Sequence, residues 1–280
     1  MKSITFECET ITPMFLAGAD GQTPELRPPS IKGALRFWWR AMNGHLSLAE
    51  LKKNESIIFG GTDSAGRSKL IIKVLNQPTF DNIKSDSPTP HKDRPFLKPS
   101  IKVGFNFKIQ LNLIDNELFN IKSVGSLFEI FAVIGGLGNR SRRGFGAFRI
   151  LKIDNNTYVQ DDSVENIKIL CHQITPYFKV NANYAIKYPY IKEFVPCTKD
   201  IKDLMKSIGD MTHKLNQKHG YNYGDALGKA KGGRFASPIY ISTIQKLDGK
   251  LYPFITILNT VTPGGHYIKD IQEELIKSLS

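Results

Sequence analysis

Hydrophobic and polar positions alternate over residues 3–10, with Ile4, Phe6 and Cys8 on one side and Thr5, Glu7 and Glu9 on the other. A period of two predicts a half-buried strand. A Pro- and Gly-rich loop follows to Ser30, and the period then changes. Ile31, Leu35, Trp38, Trp39 and Met42 recur every three or four residues, which predicts a helix over residues 31–43, with Ser30 as N-cap and Gly44 as its stop. Residues 46–53 predict a short helix, residues 69–75 a strand and residues 101–113 the longest strand. Between these strands, residues 76–100 carry five prolines and predict an irregular insertion. Leu127, Ile130, Phe131 and Ile134 mark one face of a helix over residues 124–134, and residues 145–153 alternate again.

Strand, helix, strand, strand, helix, strand is the split βαβ order of a ferredoxin-like domain. Such a sheet carries helices on one face and leaves the other free, a surface that can bind single-stranded RNA. No aromatic signature marks the inner strands, so the sheet face is not the expected reader.

After about residue 160 the pattern partly restarts. Residues 167–173 predict a strand, and Ile174-Thr175-Pro176-Tyr177-Phe178 then copies Ile11-Thr12-Pro13-Met14-Phe15 at four of five positions, by duplication or by chance. A helix over 200–217, an antiparallel pair over 234–244 and 251–259, and a helix over 268–279 complete the chain. The expected class is α+β, with tandem ferredoxin-like domains at 1–158 and 159–280, the second lacking its fourth strand.

Charge narrows the partners. Among 280 residues, 38 Lys and Arg face 26 Asp and Glu, a formal net charge of +12. That balance favours a polyanion, most often nucleic acid. The lysines are scattered, but nine of the ten arginines precede residue 150. They concentrate in two places. Lys32, Arg36 and Arg40 repeat every four residues along the first helix, with Trp39 at the border as a stacking group and no acid on that helix to pair with them. Arg140, Arg142 and Arg143 lie among glycines 135, 136, 138, 144 and 146 in a loop over 135–146. Glycine permits close backbone approach and positive φ, and arginine presents a planar fork to phosphate oxygens. The helix–loop–strand order is the reverse of a nucleotide phosphate loop, which needs a helix N-terminus after the glycines. The competing explanations are a core helix with a solvated basic side and a turn whose arginines are merely solvated. A second glycine-and-cation stretch, residues 220–234, adds Tyr221 and Tyr223 as stacking groups, or is a plain surface loop.

No nucleophile elbow, H-E-x-x-H or two-metal carboxylate cluster occurs, and no metal or cofactor is expected. Cys8, Cys171 and Cys197, odd in number and far apart, fit a reducing cytoplasm. Neither a signal peptide nor a membrane anchor is expected. His45 is the single candidate general base for metal-free RNA cleavage through the 2′-hydroxyl, and no group for the leaving oxygen accompanies it.

The stretch GGLGNRSRRGFGAF and the double ferredoxin-like order resemble the RAMP proteins of CRISPR systems. The N-terminal TPMFLAGADGQTPELRPPSIKGALRFWWRA is similar to the first-subunit family of Cmr (type III-B) effector complexes, and RFASPIYI to that family's C-terminal strand entry. The resemblance covers about residues 10–45, 131–150 and 232–242. It implies a non-catalytic subunit that holds the 3′ region of a guide RNA, the target RNA, or both, among other Cmr subunits in the cytoplasm. The alternative it leaves is a metal-independent endoribonuclease that processes guide RNA. Carried over by position, the expected RNA contacts are Lys32, Arg36, Trp39, Arg40, Gly138, Arg140, Arg142, Arg143 and Arg234.

Overall fold

A computed structural model of the chain describes residues 1–61, 66–114, 119–184, 188–201, 203–229, 233, 235–259 and 269–280. Among the described residues ten strands run in the order β1 (Lys2–Thr10), β2 (Leu70–Val74), β3 (Ile83–Asp86), β4 (Lys98–Ile101), β5 (Asn106–Leu113), β6 (Phe148–Ile153), β7 (Asn156–Thr157), β8 (Tyr190–Pro196), β9 (Ile239–Gln245) and β10 (Leu251–Asn259). The α-helices are α1 (Pro28–Met42), α2 (Leu48–Phe59), α3 (Ile121–Ile134), α4 (Val164–Ile174), α5 (Leu204–His219), α6 (Tyr221–Leu227) and α7 (Lys269–Leu279).

The first sheet has the order β2-β5-β1-β6-β7 and is antiparallel throughout. Without β7, this is the ferredoxin-like arrangement, the fourth strand beside the first and the third between first and second. Alternation decides its faces. Phe6, Cys8, Phe107, Ile109, Leu111, Leu70, Ile72, Phe148 and Ile150 are buried under the helices. On the opposite face Glu7 takes Lys108 at 2.7 Å and Lys152 at 3.5 Å, and Glu9 takes Arg149 at 2.6 Å. That face is a charge-paired surface without an aromatic platform.

The second sheet, β8-β10-β9, is the same arrangement without its fourth strand. α5 and α7 cover one of its faces through Ile208, Leu215, Ile241, Ile255, Ile271 and Leu275. Its other face, through Tyr240, Ile244, Phe254 and Leu258, joins the core of the first half. α3 lies between the two sheets, which is why Ser123–Phe128 and Ile130–Ile134 are all buried. A helix apolar all round is one covered on every side. Likewise β9 and β10 are buried along almost their whole length, as strands covered on both faces are.

Several expectations need correction. Residues 167–173 are helical: they lie within α4, which packs on α3. Ile167, Leu170, Cys171 and Ile174 form its buried stripe, a period of three to four that the shorter apolar run concealed. The segment at Ile174 therefore follows a helix, unlike the one at Ile11, and the match is no duplication of structure. The long strand is interrupted at Gly104 (φ +81°), so β4 and β5 are separate and Ile101 pairs with Ile83. The insertion accordingly contains a two-stranded ladder, β3 with β4. Its His91 ring packs against Gly209 of α5, where a side chain would collide with it. α1 begins at Pro28, with prolines at its first positions and Arg27 rather than Ser30 at the cap. Residues 221–227 of the second glycine stretch form α6.

Candidate nucleic-acid interface

The glycine–arginine loop leaves α3 at Gly135 and returns through Gly146 to β6. Its backbone folds onto the chain's own N-terminal segment. Asn139 donates to the Phe15 carbonyl (2.9 Å), Gly146 to the Pro13 carbonyl (3.0 Å) and Leu137 to the Gly146 carbonyl (2.9 Å). Gly138 (φ +86°) and Gly146 (φ +69°) hold left-handed backbone, and a Cβ on either would overlap a carbonyl, of Phe15 and Leu137 respectively. These two glycines thus serve the loop's contact with its own chain.

The three arginines separate. Arg142 lies between two rings, 5.1 Å from the centroid of Phe37 on α1 and 5.2 Å from that of Tyr240 on β9. Its Nη1 donates to the Ser237 carbonyl at 2.6 Å. Arg143 donates through Nη2 to the Leu227 carbonyl at 3.3 Å, at the carbonyl end of α6 where a cation is favoured. The backbone joins in: Gly144 N donates to the Ile241 carbonyl (2.9 Å), and Thr243 Oγ1 to the Gly144 carbonyl (3.0 Å). Burial lowers the pKa of both Arg142 and Arg143. These two side chains fasten the first half to the second sheet. Arg140 alone among the three is exposed, at a left-handed turn (φ +60°) that is rare outside glycine.

On α1 the cationic stripe is present, but its neighbours are on another helix. Glu55 of α2 is 5% exposed and pairs with Arg36 Nε, and Arg40 Nη1 lies 3.6 Å from the same oxygen. Both arginine side chains remain about 40% exposed to solvent. Lys32 Nζ donates to Ser68 Oγ at 3.0 Å, and burial, with Arg36 nearby, lowers its pKa. Trp39 is only 4% exposed and meets Phe59 edge-on at 6.1 Å, so its ring is core and offers no face to a base. A scan for acids confined to α1 could not find Glu55, which tertiary contact brings in. Arg36 and Arg40 turn to Glu55 of α2, while Arg142 is held between α1 and β9, so the stripe and the loop arginine have different partners.

Arg234 lies outside the described residues. His45 packs against the Tyr177 ring at 5.1 Å, its Nδ1 is buried without a hydrogen-bond partner, and burial lowers its pKa. Among the described residues no group of three or more His, Cys, Asp or Glu could hold a metal ion. No helix among them is long and apolar enough to cross a membrane.

Around Arg140 stand groups that sequence spacing did not single out. His91 of the insertion lies 6.1 Å from His213 of α5, ring to ring, and burial and then the Arg140 charge lower its pKa. The cation at the loop tip therefore shares its surroundings with the insertion and the second half.

The sequence profile of the RAMP superfamily matches residues 7–149. The Cmr subunit Cmr1-2 of Pyrococcus furiosus is 28% identical over 181 residues, 54% of this chain and 96% of that protein. Cmr1-1 of the same organism is 30% identical over 164 residues, 52% of this chain, and the match spans 47% of its own length. Among solved structures, apo Cmr1 from Pyrococcus furiosus superposes with a TM-score of 0.66 at 19% identity, covering 100% of this chain and 97% of that one. A chain of the type III-B Cmr-beta complex bound to cognate target RNA gives 0.60 at 12% identity, with 99% of each chain covered. These two likenesses show a shared fold. The profile match, which spans the first sheet from β1 to the start of β6 and takes in both the cationic helix and the glycine–arginine loop, makes the chain a member of the RAMP superfamily.

Proposed function

We propose that the protein is an RNA-binding subunit of a type III-B CRISPR effector complex, the counterpart of the Cmr1 subunits, and acts in antiviral defence in the cytoplasm. It holds the guide RNA 3′ region, the target RNA, or both, beside other Cmr subunits, and has no nuclease of its own. The observation that carries this is the exposed Arg140 at a strained turn, on a loop that Arg142 and Arg143 fasten in place, in a chain of net charge +12. A loop backbone ordered before the ligand arrives loses little main-chain freedom when the cation it carries meets a phosphate.

In this proposal Arg140 meets the phosphate directly, with the neighbouring Gly138 turn setting its position. The half-exposed Lys32, Arg36 and Arg40 form a second, weaker contact, partly neutralised by Glu55. Trp39, Arg142 and Arg143 act through the loop and helix they hold, and Arg234 completes the set. Crosslinking RNA to the native complex and identifying the attached peptides by mass tests the reading. Adducts on the peptide containing Arg140 are expected, and their absence from both the loop and α1 would overturn it. Incubation with repeat RNA and EDTA tests the endoribonuclease alternative, where a single cleavage site lost in His45→Ala would favour the enzyme.

A further inference from the structure

β2 is the outer strand of the first sheet, and its free edge has a definite chemistry. Leu75 N donates to the Lys108 carbonyl (2.9 Å) and Ile114 N to the Lys69 carbonyl (3.1 Å). The Lys69 carbonyl and the backbone groups of Ile71, Lys73 and Leu75 therefore turn toward β5, and Leu70, Ile72 and Val74 turn theirs outward. Ser68 Oγ occupies the Leu70 carbonyl at 2.7 Å. The amides and carbonyls of Ile72 and Val74 have no backbone partner on that side among the described residues.

Beside this edge runs a groove of about 500 Å³ between β2 and the start of α1, lined in part by Pro28, Pro29, Lys32, Arg67, Leu70 and Ile72. Aliphatic side chains stand exposed next to it: Ile71 at 43%, Leu75 at 50% and Ile114 at 47%. Lys32 and Arg67 line the groove, Lys73 is exposed on the strand itself, and no carboxylate lines it among the described residues. An unpaired, partly apolar strand edge is a template for another strand.

We infer that this groove binds an extended segment of a partner protein that pairs with β2 and alternates acidic with aliphatic residues. Ile72 and Val74 would supply the backbone hydrogen bonds, Ile71 and Leu75 the apolar contact, and Lys32 and Arg67 the charge. A second copy of this chain does not fit, because β2 against β2 would set these cations against each other. RNA fits poorly too: alternating N–H and C=O groups match a peptide backbone, and among the described residues no aromatic ring lines the groove to stack a base.

Amide hydrogen exchange of the whole chain tests the inference without reference to the RNA reading. The probes are a blocked octapeptide of alternating glutamate and valine, its lysine–valine counterpart, an N-methylated version and oligouridylate. With millimolar glutamate–valine peptide, exchange at the outward Ile72 and Val74 amides should slow by about tenfold or more, while the inward Ile71 and Lys73 amides change little. The N-methylated peptide should have no effect, and Arg67→Glu should shift the preference toward the lysine peptide. Unchanged exchange at Ile72 and Val74, equal protection by both peptides, or protection by oligouridylate instead would each overturn the inference.

Discussion

The Arg142 guanidinium stands 5.2 Å from the centre of the Tyr240 ring, a contact that joins the loop after α3 to the sheet of the second half. With the Phe37 ring on its other side and the Ser237 carbonyl at its end, the cation is held on three sides. Removing it leaves two rings without their partner and a carbonyl without its donor. Arg142→Ala should cost about 2–4 kcal/mol of stability, and Arg142→Lys, which keeps charge but loses the planar fork, about half of that. Thermal and urea unfolding check this, and an unchanged melting temperature for Arg142→Ala would show that the ring sandwich contributes nothing.

Glu55 gives a test that separates a structural role of the α1 cations from the RNA contact proposed for them. It is buried between Arg36 and Arg40, whose own side chains are half exposed. Glu55→Gln should lower stability by about 1–3 kcal/mol, less than a fully buried pair would, because water screens the arginines. The same change frees two cations, so RNA affinity should rise and its salt dependence steepen. If affinity instead falls in step with stability, the stripe is purely structural.

Of the loop arginines Arg140 is the most exposed, and Arg142 and Arg143 are committed to protein partners, which sets the size of its effect. For a single strand each neutralised phosphate contributes about 0.7 to the slope of log affinity against log salt. Arg140→Ala should flatten the slope by about that amount at unchanged melting temperature. The triple alanine variant with Arg142 and Arg143 should unfold rather than show three times the effect. A flattening by about 2 units in a folded triple variant would put all three arginines on RNA.

The pH dependence follows from His45 and His91. Burial lowers the pKa of both below the usual histidine value. As pH falls through about 6.5 the unfolded chain takes up these protons first, so stability present above that pH is lost on acidification through the lower folded values. Melting temperature should therefore drop between about pH 7 and pH 5, and the drop should shrink in His45→Gln and His91→Gln. Tyr240 acts at the other end. Burial raises its pKa to about 12, so the stability it contributes is complete below about 10 and is lost between there and about 12. A flat acid limb in the parent protein would contradict the placement of both histidines.

Gly146 separates conformational from spatial demands. Its backbone is left-handed, and an added Cβ would overlap the Leu137 carbonyl. Gly146→Ala should cost about 2–4 kcal/mol, whereas Gly21→Ala, also left-handed but with open space around it, should cost about 1. Equal losses at the two sites, measured by denaturant unfolding, would mean that φ alone matters.

The elements visible in the sequence were those that one periodicity decides. β1, α1, α3, β6, β9 and β10 show in the pattern because each buries a face that repeats every two or three to four residues. α4 was misread as a strand because a short apolar run satisfies either period, and the choice was made by its packing on α3. The second half was legible only in part: its antiparallel pair and last helix were placed, but its first strand was expected at 167–173 and is β8 (Tyr190–Pro196). Of the candidate site, the residue types and their grouping were legible, and their directions were not.

Chain order, the alternation within strands, the cationic stripe and the glycine–arginine loop all follow from residue types at fixed spacing, so the linear sequence determines them. Which arginine meets solvent does not. Arg140, Arg142 and Arg143 are chemically alike and lie within four positions, and their fates diverge because Phe37, Tyr240, Ser237 and Leu227 arrive from distant parts of the chain. In the same way Trp39 became core and Glu55 became the acid of α1 only when α2 folded across it. Burial and partnership are properties of surfaces in contact, and those contacts exist only once the two sheets have closed around α3.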